Sequence, residues 1–174
     1  MMKNNYKIAH HGLKEGTHRF IFIIDNKFFE YFNYPDILGG QVEVNLALEK
    51  KTRHMELYFE YRGKVVVSCD ICLEPMDFPL KLEDDLFVKM GEDESQDSDV
   101  MIISPNQPEI DLSQYLFDTI SVSLPYKKSH ETDMNSKRTC NPEMLKKLEQ
   151  YSTEKKQEKP VDSRWDKLKN INFN

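Results

Sequence analysis

Two neighbouring segments of the chain alternate polar and apolar residues with almost no error, and this pattern constrains the fold most strongly. Residues 41–49 and residues 54–61 each place an apolar side chain at every second position. Because successive side chains of a strand point to opposite faces of a sheet, a period of two predicts half-buried antiparallel strands. The charged residues 50–53 between them predict a tight connection. The pattern therefore predicts a domain built around an antiparallel meander.

Other segments extend this sheet and cover it. Apolar or alternating runs predict strands at residues 19–24, 64–68, 76–90 and 100–103, with a turn at Arg62 and Gly63 and a short helix at residues 27–34. A longer helix is predicted at residues 111–124, where Asp111 is the N-cap, Gln114 completes a capping box and Pro125 ends the helix. Its apolar face predicts packing on the sheet. The predicted fold class is α+β, with a mainly antiparallel sheet of about six strands, open or curled towards a barrel, one packed helix and a flexible C-terminal tail.

Charge divides the chain after Tyr126. Residues 1–126 contain 12 basic and 22 acidic residues, a net charge of −10, whereas residues 127–174 contain 12 basic and 8 acidic residues, a net charge of +4. We therefore expect a β-rich domain over residues 1–126 and a basic, partly disordered tail over residues 127–174, with a short helix at residues 142–151. The basic tail is either a solvated linker or the part of the chain that meets polyanions.

The sequence favours a cytoplasmic protein that is not an enzyme. The longest apolar stretch, residues 20–24, is far shorter than the roughly 20 residues that cross a bilayer, so no membrane partner is expected. No signal-peptide pattern is found at the amino end, and the odd number of cysteines, three, argues against a secreted disulfide scaffold. Glycine-rich phosphate loops and the G-x-S-x-G nucleophile motif are absent from the sequence. The oligomeric state is left open.

One cysteine pair carries the most compact chemical signal. Cys69 and Cys72 follow a predicted strand in a C-x-x-C spacing, which can supply two thiolates to a tetrahedral Zn²⁺. His130 and Cys140 are the candidates for the other two ligands, and zinc would then fasten the basic tail to the sheet. Two alternatives stay open at this point, a redox dithiol and plain reduced thiols in a turn. The redox alternative is disfavoured because strand-like sequence, rather than a helix that would lower the pKa of Cys69, follows the pair.

Cations and aromatic residues in the second region are candidates for contact with RNA or another partner. Clustered cations bind phosphates through counterion release, and exposed aromatic rings stack on unpaired bases. The predicted contact residues are Lys127, Lys128, Lys137, Arg138, Arg164, Trp165 and Lys167, and Tyr126 is also available for stacking. Acidic residues between positions 83 and 99 would repel RNA locally.

Three segments together resemble one family. Residues 67–75, Val-Ser-Cys-Asp-Ile-Cys-Leu-Glu-Pro, resemble the strand and C-x-R-C-L-E-P signature of the YceD family, the large ribosomal RNA subunit accumulation proteins. Residues 110–114 and 120–125 are similar to that family's acidic-capped helix ending in Leu-Pro, and residues 161–168 are similar to its terminal D-P-R-W-x-x-L. Their order and spacing also fit, so the resemblance spans residues 12–171.

The resemblance implies a small, non-enzymatic cytosolic factor for accumulation of large-subunit ribosomal RNA and for ribosome assembly, acting on ribosomal RNA or a ribosomal protein. The alternative is a zinc-stapled protein-interaction module without RNA contact. Two positions depart from the family signature: Ile71 replaces the arginine and Ser163 replaces a proline. The cysteine-rich segment that many members carry after Leu-Pro is reduced here to His130 and Cys140.

Overall fold

The computed structural model describes residues 6–91, 100–104, 106–130 and 139–151. Within these ranges the strands are β1 (Lys7–Ala9), β2 (Gly16–Ile24), β3 (Ile37–Lys50), β4 (His54–Ser68), β5 (Pro75–Met90), β6 (Val100–Ile103) and β7 (Glu109–Asp111). The α-helices are α1 (Asn26–Phe32), α2 (Ser113–Ser123) and α3 (Pro142–Tyr151). A 3₁₀ turn, His10–Gly12, connects β1 to the long strands.

The main sheet has five strands in the order β2-β3-β4-β5-β6. Each of β2, β3 and β4 pairs antiparallel with the next strand, as the alternating pattern predicts, whereas β6 runs parallel to the end of β5. The described strands β2 and β6 do not pair with each other, so the sheet is open rather than barrel-like. The short strands β1 and β7, which were not predicted from the sequence, form a separate antiparallel pair. The α+β fold with a mainly antiparallel sheet is thus confirmed.

The predicted turn at Arg62 and Gly63 is wrong, because β4 runs through both residues without interruption. Gly63 lies opposite Val42 of β3 and Leu80 of β5. A Cβ atom at Gly63 would clash with the carbonyl oxygen of Gln41, so only glycine fits this contact. Here glycine marks a close approach of two backbones inside a sheet rather than a turn.

One face of the sheet forms the core together with α1, α2 and the β1–β7 pair. Apolar side chains that alternate along β3 and β4 are almost completely buried, among them Val42, Val44, Leu57 and Phe59. From α2, Leu116, Phe117 and Ile120 are buried against this cluster. Phe117 also stacks on Phe32 of α1, with 4.2 Å between the ring centroids.

The start of α2 differs from the prediction. The helix begins at Ser113, after Leu112, and Asp111 is the last residue of β7, where it pairs with Lys7 of β1. The Asp111 carboxylate still accepts a hydrogen bond from the Ser113 amide at 2.9 Å, as a capping side chain would. Gln114 does not complete a capping box, because its amide donates instead to Asp118 one turn along the helix.

The chain divides into two compact units, Met1–Cys140 and Asn141–Asn174. Helix α3, at the position predicted from the sequence, is the described part of the second unit. The predicted boundary after Tyr126 stays a prediction, and the part of the predicted tail beyond residue 151 lies outside the described residues. No described helix combines the length and apolar character needed to cross a bilayer.

Candidate metal centre

A tight turn after β4 places Cys69 and Cys72 on the same side of the backbone. The Leu73 amide donates to the Cys69 carbonyl at 2.9 Å, and the Cys69 amide donates to the Glu74 carbonyl at 2.9 Å. Leu73 has φ of 62°, a left-handed conformation that lets the chain reverse into β5. Both cysteine side chains are turned inward and are 0% and 3% exposed, whereas Leu73 is 70% exposed.

Two hydrogen bonds fasten the segment after α2 to this turn. The Asp70 amide donates to the Lys128 carbonyl at 2.7 Å, and the Lys128 amide donates to the Asp70 carboxylate at 2.5 Å. His130, two residues further on, thereby reaches the cysteine pair. Cys140, which is 4% exposed, completes the group from the end of the same compact unit. We call residues 69–74, 126–130 and 139–140 the Cys/His corner.

One ligand atom from each of the four predicted residues lies close to the other three. The sulfur atoms of Cys69 and Cys140 are 3.8 Å apart. The Nδ1 atom of His130 is 3.4 Å from the Cys72 sulfur and 3.7 Å from the Cys140 sulfur, and all four ligand atoms lie within 4.8 Å of one another. A tetrahedral zinc ion with zinc–sulfur bonds of about 2.3 Å separates two sulfurs by roughly 3.8 Å and a sulfur from a nitrogen by roughly 3.6 Å. The donor set and its spacing therefore fit zinc.

The electrostatics of the corner favour one thiolate and oppose several. Burial alone would raise the pKa of Cys69, but the backbone N–H groups of Cys72, Ile71 and His130 outweigh it and lower this pKa to about 6. Burial, together with the neighbouring Cys69 and Cys72, raises the pKa of Cys140 to about 11. Negative charge thus accumulates at Cys69 and is disfavoured at Cys140 unless a cation is present. A divalent metal removes this conflict, because it binds thiolates and displaces their protons.

The same geometry weighs against the two alternative interpretations of the cysteines. All three cysteines are free thiols, and β5 rather than a helix follows Cys72. The helix N-terminus that lowers the pKa of many redox dithiols is therefore not found at this turn. The interpretation as plain thiols in a turn does not explain why His130 and Cys140, which are distant in sequence, lie beside the cysteine pair.

Only some of the residues that were predicted to contact RNA or another partner lie within the described part of the chain. Tyr126 and Lys127 are exposed and follow directly after α2. The side chain of Lys128 is only 13% exposed, and its ammonium lies 3.8 Å from the Asp36 carboxylate. Lys137, Arg138, Arg164, Trp165 and Lys167 lie outside the described residues.

One residue on which the corner depends was not predicted from the sequence. Asp70, between the two cysteines, uses its amide and its carboxylate to hold Lys128. Its place inside the C-x-x-C spacing was visible, but nothing in the sequence indicated which distant segment it would bind.

Comparison with known proteins agrees with the resemblance seen in the sequence. The model of the family described as large ribosomal RNA subunit accumulation protein YceD matches residues 57–172, which is well over half of the chain. All four residues of the candidate metal centre lie within the matched range. Searches among curated proteins and among solved structures gave no match. From the family match, the chain belongs to the YceD family.

Proposed function

We propose that this protein is a non-enzymatic cytoplasmic factor that supports accumulation of large-subunit ribosomal RNA during ribosome assembly. The observation that carries the proposal is the family match, which begins within β4 and includes the Cys/His corner and most of the chain beyond it. The protein would act by binding ribosomal RNA or a ribosomal protein of the large subunit.

We further propose that Cys69, Cys72, His130 and Cys140 bind one zinc ion. Four protein ligands leave no coordination position open for water or substrate, so such a zinc is structural rather than catalytic. It would link the turn between β4 and β5 to the segment that follows α2. A structural zinc agrees with a binding factor better than with an enzyme.

The zinc would also fix where the basic part of the chain leaves the folded unit. Tyr126 and Lys127 lie between α2 and His130, on a segment already fastened through Lys128 and Asp70. An exposed aromatic ring beside an exposed cation can stack on an unpaired base and bind a phosphate. On the same grounds of charge and aromatic character, we propose further contacts at Lys137, Arg138, Arg164, Trp165 and Lys167.

Metal analysis tests the zinc proposal. We expect one zinc per chain in the purified protein, and a cobalt-substituted sample should show the strong visible absorption of a tetrahedral thiolate site. His130→Ala should lose the metal, whereas the matched control His11→Ala, at an exposed histidine, should retain it. A folded wild-type protein that binds neither zinc nor cobalt would reject the metal centre.

Crosslinking in cells tests the function. Ultraviolet crosslinking followed by identification of bound RNA and polypeptides should recover large-subunit ribosomal RNA or a ribosomal protein, and depletion of the protein should lower the level of that RNA. Deletion of residues 152–174 should weaken the association while the described fold is retained. Wild-type rRNA levels after depletion would contradict the proposal.

Salt dependence separates direct RNA contact from the alternative, a zinc-stapled protein-interaction module. Binding to phosphates falls steeply with ionic strength, and removal of one phosphate contact reduces the slope of log affinity against log salt by about one. We expect this reduction for Lys127→Gln but not for the control Lys27→Gln, at an exposed lysine of α1. Salt-insensitive association with a ribosomal protein would favour the alternative.

A further inference from the structure

We propose that two copies of this protein form a dimer by antiparallel pairing of their β2 strands. Strand β2 is the last strand on its side of the sheet, and none of the described residues forms a ladder along its free side. Two of its side chains on the open face of the sheet are apolar and well exposed, Ile21 at 66% and Ile23 at 52%. An apolar edge of this length is a template for pairing with another strand.

On the opposite side of the sheet, the outer edge of β5 is protected against pairing with another strand. Before Phe87, where β6 begins to pair, β5 has no partner on its outer side among the described residues. Pro79, which has no N–H group, lies in this part of the strand, together with the charged residues Asp77 and Lys81. The hydroxyl of Tyr115 also lies 3.3 Å from the Asp85 carbonyl and donates to it. Proline and charge are the usual means of preventing edge-to-edge pairing.

Strand β2 has almost none of these protections. It contains no proline, and its register with β3 continues without a bulge from Gly16 to Ile24. Arg19 is its one permanently charged residue. At its C-terminal end the hydroxyl of Tyr6 donates to the Ile23 carbonyl at 3.0 Å, so the open part of the edge lies before Ile23.

The occupant that fits this edge is a second copy of the same strand. With a two-fold axis at Phe20, that residue meets Phe20 of the second copy on the core side of the sheets, and the half-buried ring gains a partner. On the open face, Arg19 lies opposite Ile21 of the second copy, so the two arginines do not face each other. A strongly charged partner would gain little electrostatic binding energy at this edge, because Arg19 is the only full charge on the strand. The core cluster of each copy would thus continue across the dimer.

The size of such a contact sets its strength. One pair of short strands buries less than the roughly 1,200 Å² of a standard stable interface. We therefore expect a concentration-dependent equilibrium between monomer and dimer rather than a permanent dimer. Sedimentation equilibrium of the full-length protein as purified, between roughly 1 and 500 µM, should show this equilibrium.

Charge substitutions test both the surface and the register. Ile21→Lys places a cation opposite Arg19 of the second copy and should weaken the dimer at least about tenfold. Val122→Lys, at an exposed valine of α2, introduces the same charge elsewhere and should leave the dimer unchanged. Adding Arg19→Glu to Ile21→Lys places opposite charges across the two-fold axis and should restore dimerisation. Circular dichroism verifies that each variant is folded.

Several results would overturn the proposal. A wild-type protein that remains monomeric over the whole concentration range contradicts it, and so does equal weakening by Ile21→Lys and Val122→Lys. Failure of Arg19→Glu to restore the dimer rejects the two-fold axis at Phe20. Hydrogen exchange of the β2 amides should slow as concentration rises. A monomer whose β2 amides are protected at every concentration would show that another segment covers the edge, which also overturns the proposal.

Discussion

The sheet core and the Cys/His corner are stabilised by different interactions. In the core, alternating residues of β3 and β4 bury apolar side chains, and Val42, Val44 and Leu57 have no exposed surface at all. In the corner, a few hydrogen bonds connect short segments, and the side chains of the four candidate ligands meet there. Apolar burial is proportional to area and is present whenever the chain is folded. With the proposed zinc bound, the corner would depend instead on the metal and on the protonation and oxidation of its thiols, which solution conditions can change.

This difference predicts that the two regions respond to different perturbations. Core substitutions should destabilise the protein by the same amount with or without metal. Changes in the corner should act locally and leave the sheet paired. Each of the following measurements either separates the regions or shows that they are coupled.

Phe59→Ala should give the largest effect. The ring is 1% exposed and contacts Tyr61 and Tyr115, so its removal leaves a cavity that costs about 3–5 kcal/mol in free energy of unfolding. Tyr58→Ala, on the open face of the same strand and 48% exposed, is the matched control and should cost about 1 kcal/mol or less. Urea unfolding followed by circular dichroism measures both. If a chelator changed the Phe59→Ala loss, the core and the corner would be coupled.

Metal removal should come next in size and act in the other region. A ligand present at 100 times its dissociation constant stabilises the folded state by about 2.7 kcal/mol, and a chelator would remove this contribution. Hydrogen exchange should then accelerate in residues 69–74 and 126–130, while the central amides of β3 and β4 keep their protection. Uniform acceleration throughout the sheet would contradict the separation of the two regions.

The parts of the fold that the sequence predicted correctly are those in which local pattern and burial agree. Strand β3 and the first half of β4 follow the alternation of their residues, and β5 follows the spacing of its apolar residues. The turn predicted at Gly63 failed because glycine permits both a turn and a close approach of two strands. Only the position of Gln41 on the neighbouring strand distinguishes the two, and that is a tertiary contact. Strands β1 and β7, of three residues each, are too short to show a period.

The candidate site was predictable in its chemistry but not in its placement. The C-x-x-C spacing and the types of the other two residues suggested the ligands, because few side chains bind zinc. The contacts that bring His130 to the cysteines run through the backbone of Lys128 and the carboxylate of Asp70. Backbone contacts between segments distant in sequence leave no pattern in a single sequence. The ion pair of Lys128 with Asp36 was unforeseen for the same reason.

Asp84→Asn should have a moderate effect and tests whether α2 is attached to the sheet by apolar contact alone. The Asp84 carboxylate accepts hydrogen bonds from the hydroxyls of Tyr115 at 2.5 Å and Thr119 at 3.2 Å, both on α2. Burial and the nearby Asp84 carboxylate raise the pKa of Tyr115, so its hydroxyl remains a donor at neutral pH. Loss of these charge-assisted bonds should lower the free energy of unfolding by about 1–2 kcal/mol.

Asp85→Asn is the matched control for this variant, because Asp85 is the next residue of β5 and its own carboxylate is on the exposed side of the strand. A double-mutant cycle with Tyr115→Phe should give a coupling energy between Asp84 and Tyr115. Equal losses for Asp84→Asn and Asp85→Asn would mean that α2 is held by its apolar face only.

The smallest effect, from His10, tests whether the apolar region also responds to pH. The ring has no exposed surface, and Nε2 lies 2.7 Å from the Gln107 carbonyl, so Nε2 carries the hydrogen and Nδ1 has the lone pair. That Nδ1 forms no hydrogen bond with any described residue. Burial lowers the pKa of His10, and the charges of His11 and Lys50 act in the same direction, although the bond to Gln107 opposes them. The folded state therefore binds fewer protons than the unfolded state.

The free energy of unfolding should accordingly fall as pH drops below about 6.5, the pKa of an unperturbed histidine, and level off below the folded-state pKa. The size of this loss is set by how far burial lowers the folded-state pKa of His10. His10→Gln should lose this pH dependence, and the control His11→Gln should keep it. Both are compared with wild type in a chelator, so that metal release from the Cys/His corner does not contribute. If His10→Gln kept the full pH dependence in chelator, titration would arise elsewhere, and the core around His10 would be as insensitive to pH as its apolar composition suggests.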